Sequence, residues 1–315
     1  MGNRAEHIRY KQQLKKGINL NLLVVGINDL GKKTFINTLI NQPYYKINSP
    51  TIRSSRLNTA ESNDSKTTDY FDSSEFSIET NTFEYSPGSI PIKLRVSVTN
   101  NFGFNCQPDD SHGDILLSYI ENKHRSVLHE EMKINRNPNI QDFRIHLTLY
   151  FVQPNIKGLS KFDILMMSKI CHRVNLLPII AKRDGLTNHE LSICKKNILK
   201  DIMVNNIKIY NFLSNDENND DGGEDFMTLS SREYNYLNEL DRVVPFSIVG
   251  SNTVGENTGA ITRITKWGSI NIEDENICDF KLLKSIIFET HLQEFKDVTV
   301  EKLYESFRIE QLLKT

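Results

Sequence analysis

Hydrophobic positions along this chain gather into short runs separated by polar stretches, and the spacing within each run predicts an element. Leu20-Asn21-Leu22-Leu23-Val24-Val25 reads as a short buried strand, and Thr34 to Ile40 as the opening of a helix. Ile92 to Thr99 alternates apolar and polar residues cleanly, the period of a strand. Ile145 to Val152, Asn175 to Ala181 and Pro245 to Val249 are further short apolar strands, with helical patterns between and after them. Strands alternating with helices predict an α/β domain whose mostly parallel sheet is covered on both faces, with ligands at the carboxyl ends of the strands. From Asp279 the pattern becomes helical. Val300, Leu303, Tyr304, Phe307 and Leu312 mark the apolar face of a last helix that lacks sustained heptads.

The polar stretches are distinctive too. Ser49 to Glu75 is rich in Ser, Thr and Asn and reads as a long flexible loop. Ser214 to Asp225 holds Asp216, Glu217, Asp220, Asp221, Glu224 and Asp225 with no lysine or arginine, the composition of a disordered loop. Residues 1–16 carry Arg4, Arg9, Lys11, Lys15 and Lys16 beside a thin stripe of Ile8, Tyr10 and Leu14. Such a segment suits anionic lipid, each near-surface cation contributing ~1 kcal/mol, or a solvated helix leading into the fold.

Composition narrows the class. The 315 residues suffice for one large domain with extensions or for two ordinary ones, and 38 basic against 40 acidic residues give no bulk basicity for nucleic acid. Cys106, Cys171, Cys194 and Cys278 lie far apart without metal-like spacing, as reduced thiols do. No apolar run approaches the ~20 residues of a membrane span, and no signal-peptide pattern opens the chain, so the expected location is the cytosol or a membrane's cytosolic face.

Candidate chemistry begins after the first strand. Gly26-Ile27-Asn28-Asp29-Leu30-Gly31-Lys32-Lys33-Thr34 fits the phosphate-binding pattern G-x-x-x-x-G-K-[ST] except at its last position. In that pattern backbone N–H groups cradle phosphates, the lysine reaches the β- and γ-phosphates, and the final hydroxyl holds Mg²⁺. Lys33 stands where the hydroxyl belongs. Phosphate binding can outlive that loss, because a helix N-terminus offers N–H donors with or without metal.

Ala181-Lys182-Arg183-Asp184 follows a buried strand, where a base-reading K-x-D belongs. A carboxylate at Asp184 can accept both N–H groups on the Watson–Crick edge of guanine, while the stem of Lys182 covers the base's face; capping of a helix is the plainer role for Asp184. Gly250-Ser251-Asn252 ends the next strand, where backbone N–H groups can meet the base oxygen, or form an ordinary turn.

These segments, together with Arg144 to Phe151, Pro245 to Thr253, Trp267-Gly268 and the tail Thr290 to Thr299, resemble the septins over nearly the whole chain from Gly17 to Leu313. The resemblance implies a three-layer P-loop GTPase-like domain (core about 17–255) with a septin-specific C-terminal extension (about 256–314), the basic segment 1–16 preceding it. It implies GTP or GDP as cofactor, held by Gly26, Asn28, Asp29, Leu30, Gly31, Lys32, Lys33 and Thr34, with Gly103 facing a γ-phosphate. Ala181, Lys182, Arg183, Asp184 and Gly250 would surround the base, and Arg263 would stack on it. Implied partners are other septins, met across the nucleotide and through Trp267, in filaments at a septum, bud neck or prospore membrane, with anionic lipid met by Arg9, Lys11, Lys15 and Lys16.

Departures from the family pattern cluster at the metal. Where septins have D-T-P-G this chain has Asn100-Asn101-Phe102-Gly103, losing the carboxylate that holds Mg²⁺ through water while keeping the glycine. Lys157 stands where many septins place a histidine that crosses to a neighbour's nucleotide. Lys33 could neutralise phosphate charge without supplying the metal's in-line chemistry. Hydrolysis is therefore expected to be very slow or absent, Mg²⁺ is doubtful, and motif erosion with retained assembly elements resembles fungal sporulation septins. A nucleotide-free scaffold and a working GTPase switch are the alternatives.

Overall fold

The computed structural model describes residues 17–41, 67–69, 76–85, 91–103, 111–135, 141–213, 231–251, 253–254, 261–265 and 268–314. The basic segment 1–16, the acidic run 214–225 and Trp267 lie outside the described residues.

The first apolar run forms β1 (Ile18–Gly26), followed by α1 (Lys32–Ile40). Then come β2 (Thr67–Asp69), β3 (Ser77–Tyr85), β4 (Ile92–Asn100), α2 (Ser111–Glu131), β5 (Leu147–Val152), α3 (Lys161–Ile170) and β6 (Leu176–Ile180). After a 3₁₀ turn at Arg183–Gly185 the chain continues through α4 (Asn188–Val204), α5 (Ser231–Val243) and the two-residue β7 (Phe246–Ser247). Seven strands line up as β2-β3-β4-β1-β5-β6-β7. β1 pairs in parallel with β4 and β5, β6 with β5 and β7; β3 pairs antiparallel with β2 and β4.

Side-chain parity explains the three layers. Leu20, Leu22 and Val24 of β1, and Ile92, Leu94, Val96 and Val98 of β4, pack on the face that carries α1 and the C-terminal helices. Leu23 and Val25 point the other way, into a core built with α2, α3 and α4. Because both faces are buried, β1 needs near-continuous apolar sequence, which is why it reads as a run rather than an alternation.

Two expectations change, and one strand is new. The stretch expected to be one flexible loop contains β2, which extends the sheet by pairing Thr67 to Asp69 with Thr80 to Ile78. β3 is a full nine-residue strand without a clean alternation, because Ile78 faces one core and Phe83 the other. The terminal helical region runs as α6 (Phe280–Ser285), a π segment (Ile286–Thr290), α7 (Leu292–Val298), a second π segment (Thr299–Tyr304) and α8 (Glu305–Leu313). Leu303, Tyr304 and Phe307 are buried while Val300 and Leu312 are exposed; Leu312 follows Phe307 by five residues within α8, roughly 140° round the helix.

A second sheet follows β7: β8 (Thr253–Val254), β9 (Ile261–Thr265) and β10 (Gly268–Asn271), all antiparallel. Asn175 ties the terminal helices to the main sheet, its amide donating to the carbonyls of His146 (2.8 Å) and Phe295 (2.9 Å) and to Thr299 Oγ1 (3.1 Å). Among the described residues no helix is long and apolar enough to cross a membrane.

Candidate nucleotide site

The loop between β1 and α1 is shaped by its glycines. Gly26 has φ 151°, and a Cβ there would stand 2.7 Å from the Phe151 carbonyl oxygen on β5. That contact excludes any side chain. Gly31, at φ 80°, precedes α1, whose start has no side-chain cap and no acidic residue in its first turn. The start of α1 thus has no side chain standing over its first N–H groups, and the helix dipole adds positive potential, as anion sites at helix N-termini require.

Lys32 is almost entirely buried, 7% exposed, and its ammonium donates to the carbonyls of Gly26 and Ile27 (2.7 Å to the latter). Burial foremost, and then the charge of Lys33, pull its pKa down to about 7, against a smaller upward pull from Asp29. An anionic phosphate at the loop would reverse that depression.

Beyond the loop lies a cleft of about 310 Å³. Leu30, Gly31, Thr34 and Phe35 line it from the α1 side, Phe151 and Ile248 from the sheet. Ala181, Lys182, Gly250 and Arg263 complete it. Gly250 is held close, since a Cβ there would come within 3.1 Å of the Phe35 amide nitrogen. Lys182 takes the left-handed conformation (φ 51°) and starts the turn that carries Asp184. Asp184 receives the Arg263 Nε at 3.1 Å on Oδ2, while its Oδ1 is buried with no hydrogen-bond partner. A buried carboxylate oxygen without a donor is costly, and N–H groups of a base would satisfy it. Arg263 also donates from Nη1 to the Gly250 carbonyl at 3.0 Å. The residue expected to stack on a base thus also bridges both base loops.

Three sequence-predicted residues behave differently. Arg183 is buried beside the turn, its guanidinium donating to the Leu186 carbonyl and to Asn188, so it braces the loop instead of lining the cleft. The Gly103 N–H, assigned to a terminal phosphate, donates to His112 Nδ1 at 3.4 Å. Lys33 forms an ion pair with Glu79 of β3, Nζ to Oε2 at 3.1 Å. Asn28 is tied to the second motif: its amide donates to Asn101 Oδ1 (3.1 Å), and the Asn101 N–H donates to Asn28 Oδ1 (3.0 Å). Phe102, between them, is fully buried against Phe76, Phe162, Tyr150 and the His112 ring.

Glu79 is the residue that sequence reasoning missed. It also accepts from the amides of Asn81 (3.1 Å) and Asn100 (3.5 Å). Burial pushes its carboxyl up, but the Asn81 hydrogen bond, Lys33 and Asn100 together bring it below the ordinary value, so it stays ionised. The ammonium at position 33 cannot ligate Mg²⁺, which demands oxygen ligands in octahedral geometry. The amide at position 100 is at most a neutral oxygen donor, and Glu79, the carboxylate that meets both, is already paired with Lys33. Among the described residues no group of three or more His, Cys, Asp or Glu could hold a metal.

Comparison with known proteins gives the family and the fold. The septin family model matches residues 16–315. The chain is 33% identical over 338 residues to sporulation-regulated protein 28 of Saccharomyces cerevisiae, covering 98% of this chain and 76% of that one. It is also 33% identical to cell division control protein 11 of the same yeast, covering 97% and 69%. The crystal structure of Cdc11 from Saccharomyces cerevisiae superposes with a TM-score of 0.56 at 25% identity, covering 93% of this chain and all of that one. With a glycine loop after β1, an A-K-R-D turn after β6 and a family match spanning nearly its whole length, the chain belongs to the septin family.

Proposed function

We propose that this chain is a guanine-nucleotide-binding septin subunit that assembles with other septins into membrane-associated filaments and turns over GTP very slowly or not at all. The observation that carries the reading is the buried, unpartnered Oδ1 of Asp184, directly behind Arg263, which lines a cleft whose other wall is the uncapped start of α1. Phosphates would lie on the loop amides and Lys32, guanine against Asp184, Lys182 and Arg263. The absence of a hydroxyl at position 33 and of a carboxylate at position 100 supports weak hydrolysis, since phosphoryl transfer relies on positioned metal and water. The names of two relatives, a sporulation-regulated and a cell division control protein, support a scaffold role in cytokinesis or spore and septum morphogenesis. Contact through Trp267 and lipid binding through Arg9, Lys11, Lys15 and Lys16 belong to the same proposal.

A second reading is a nucleotide-free scaffold, favoured by the Arg263–Asp184 pair, which fills part of the base end with the protein's own charge. Denaturing the purified protein and chromatographing what it releases separates the two. Stoichiometric guanine nucleotide is expected; none would favour the empty scaffold. Multiple-turnover phosphate release that Lys32→Ala abolishes would instead establish an active GTPase.

A further inference from the structure

The faces of the sheet bring Lys33, Glu79 and Asn100 to one corner. Even-numbered residues of β4 face α1, and β4 ends at Asn100 on that side. In the antiparallel register Glu79 sits opposite Val98 and Ser77 opposite Asn100, which places Glu79 diagonally beside Asn100. Lys33, in the first turn of α1, reaches down to the same carboxylate. The two positions that should ligate a divalent cation thus converge on one internal anion. Such a corner is neutral overall, one ammonium against one carboxylate, where a septin with both metal ligands would carry a net positive charge when loaded.

Resting on the guanine-nucleotide reading, we propose that this cleft is a metal-independent site for a guanosine diphosphate, with the Lys33–Glu79 pair standing in the metal's place. The pair links α1 to β3 mechanically, as a shared cation would link loop and second motif. It adds no net charge, so Lys32 and the helix N-terminus alone meet the phosphates, enough for the β-phosphate. A γ-phosphate brings a further negative charge to a corner whose neutral Lys33–Glu79 pair offers none of a metal's positive charge, and the Gly103 N–H is already bonded to His112. Two separate observations thus disfavour the triphosphate.

Fluorescent GDP and a fluorescent non-hydrolysable GTP analogue, titrated into the full chain with Mg²⁺ or with EDTA, test this. GDP affinity is expected to agree within about twofold between buffers, with the GTP analogue about tenfold weaker in both. Loss of GDP binding by tenfold or more in EDTA overturns the proposal, as does equal affinity for the two nucleotides. Glu79→Gln, which removes the anion and leaves the Lys33 charge unneutralised, is expected to tighten the GTP analogue several-fold without creating a Mg²⁺ requirement; unchanged binding overturns the role given to the pair. No binding of either nucleotide in either buffer, by protein that unfolds cooperatively, overturns the guanine-nucleotide reading itself, and that outcome is distinct from binding that only requires Mg²⁺.

Discussion

Beside Arg263 at one side of the cleft Asp184 keeps one buried oxygen without a donor, while at the corner between α1, β3 and β4 Lys33, Glu79 and Asn100 contact one another and Asn28 is latched to Asn101. The same P-loop scaffold serves both ends. Recognition of a ligand requires polar groups that are positioned and left unsatisfied, whereas a region whose groups pair internally has exchanged chemistry for shape. Phe102 makes the point from the packing side: a motif that senses phosphate in relatives with D-T-P-G here places a fully buried phenyl among four aromatic neighbours.

The largest effect is expected from breaking the packed side. Phe102→Ala removes a buried ring and should destabilise the fold by about 3–5 kcal/mol, read as a lowered midpoint in urea unfolding. A loss below about 1 kcal/mol would mean that the motif is loosely held. At the recognition end, Asp184→Ala removes the acceptor proposed for both guanine N–H groups, so GDP affinity should fall on the order of a hundredfold. Circular dichroism must stay native, because the substitution also releases Arg263. An unchanged affinity would move base reading elsewhere.

Acidity sharpens the comparison without mutation. Free Lys32 titrates at about 7, and a bound phosphate raises that pKa. Below pH 7 the ammonium is already formed, so affinity is flat with respect to this group. Above pH 7 binding must take up a proton, and affinity should fall by up to about tenfold per unit (about 1.4 kcal/mol) until the pKa of the complex is reached. Fluorescent GDP titrations from pH 6 to 9 read this slope; a constant affinity would show that Lys32 makes no phosphate contact. The smallest effect belongs to Lys33→Met. The pair is partly exposed, 41% at Lys33 and 25% at Glu79, so its loss should cost less than about 1 kcal/mol in thermal unfolding, a shift of a few degrees or less.

How far this contrast could be read from the chain depends on the element. The strands β1, β4, β5 and β6 were visible because their inward residues are apolar on one or both faces, and the glycine loop because φ 151° at Gly26 and φ 80° at Gly31 restrict those positions to glycine. The ammonium at 33 and the amide at 100 were visible as losses. Their shared partner was not, because Glu79 lies on a strand whose inward positions include Asn81 and whose register against β4 is set by tertiary pairing. The terminal helices misled for a different reason: apolar type alone put Leu312 on the stripe, although it lies five residues, roughly 140°, round α8 from buried Phe307.

Arg263 grips Asp184 and Gly250 from β9, and β9 is the middle strand of the small antiparallel ribbon. Ser251 binds the same strand through the Thr262 carbonyl at 2.6 Å. A ligand that displaced that guanidinium would cut the ribbon's tie to both turns at once. Were a neighbour to dock on the ribbon, reciprocity would require the factor by which nucleotide altered its affinity to equal the factor by which it altered nucleotide affinity. Arg263 is the contact through which cleft and ribbon would then be linked.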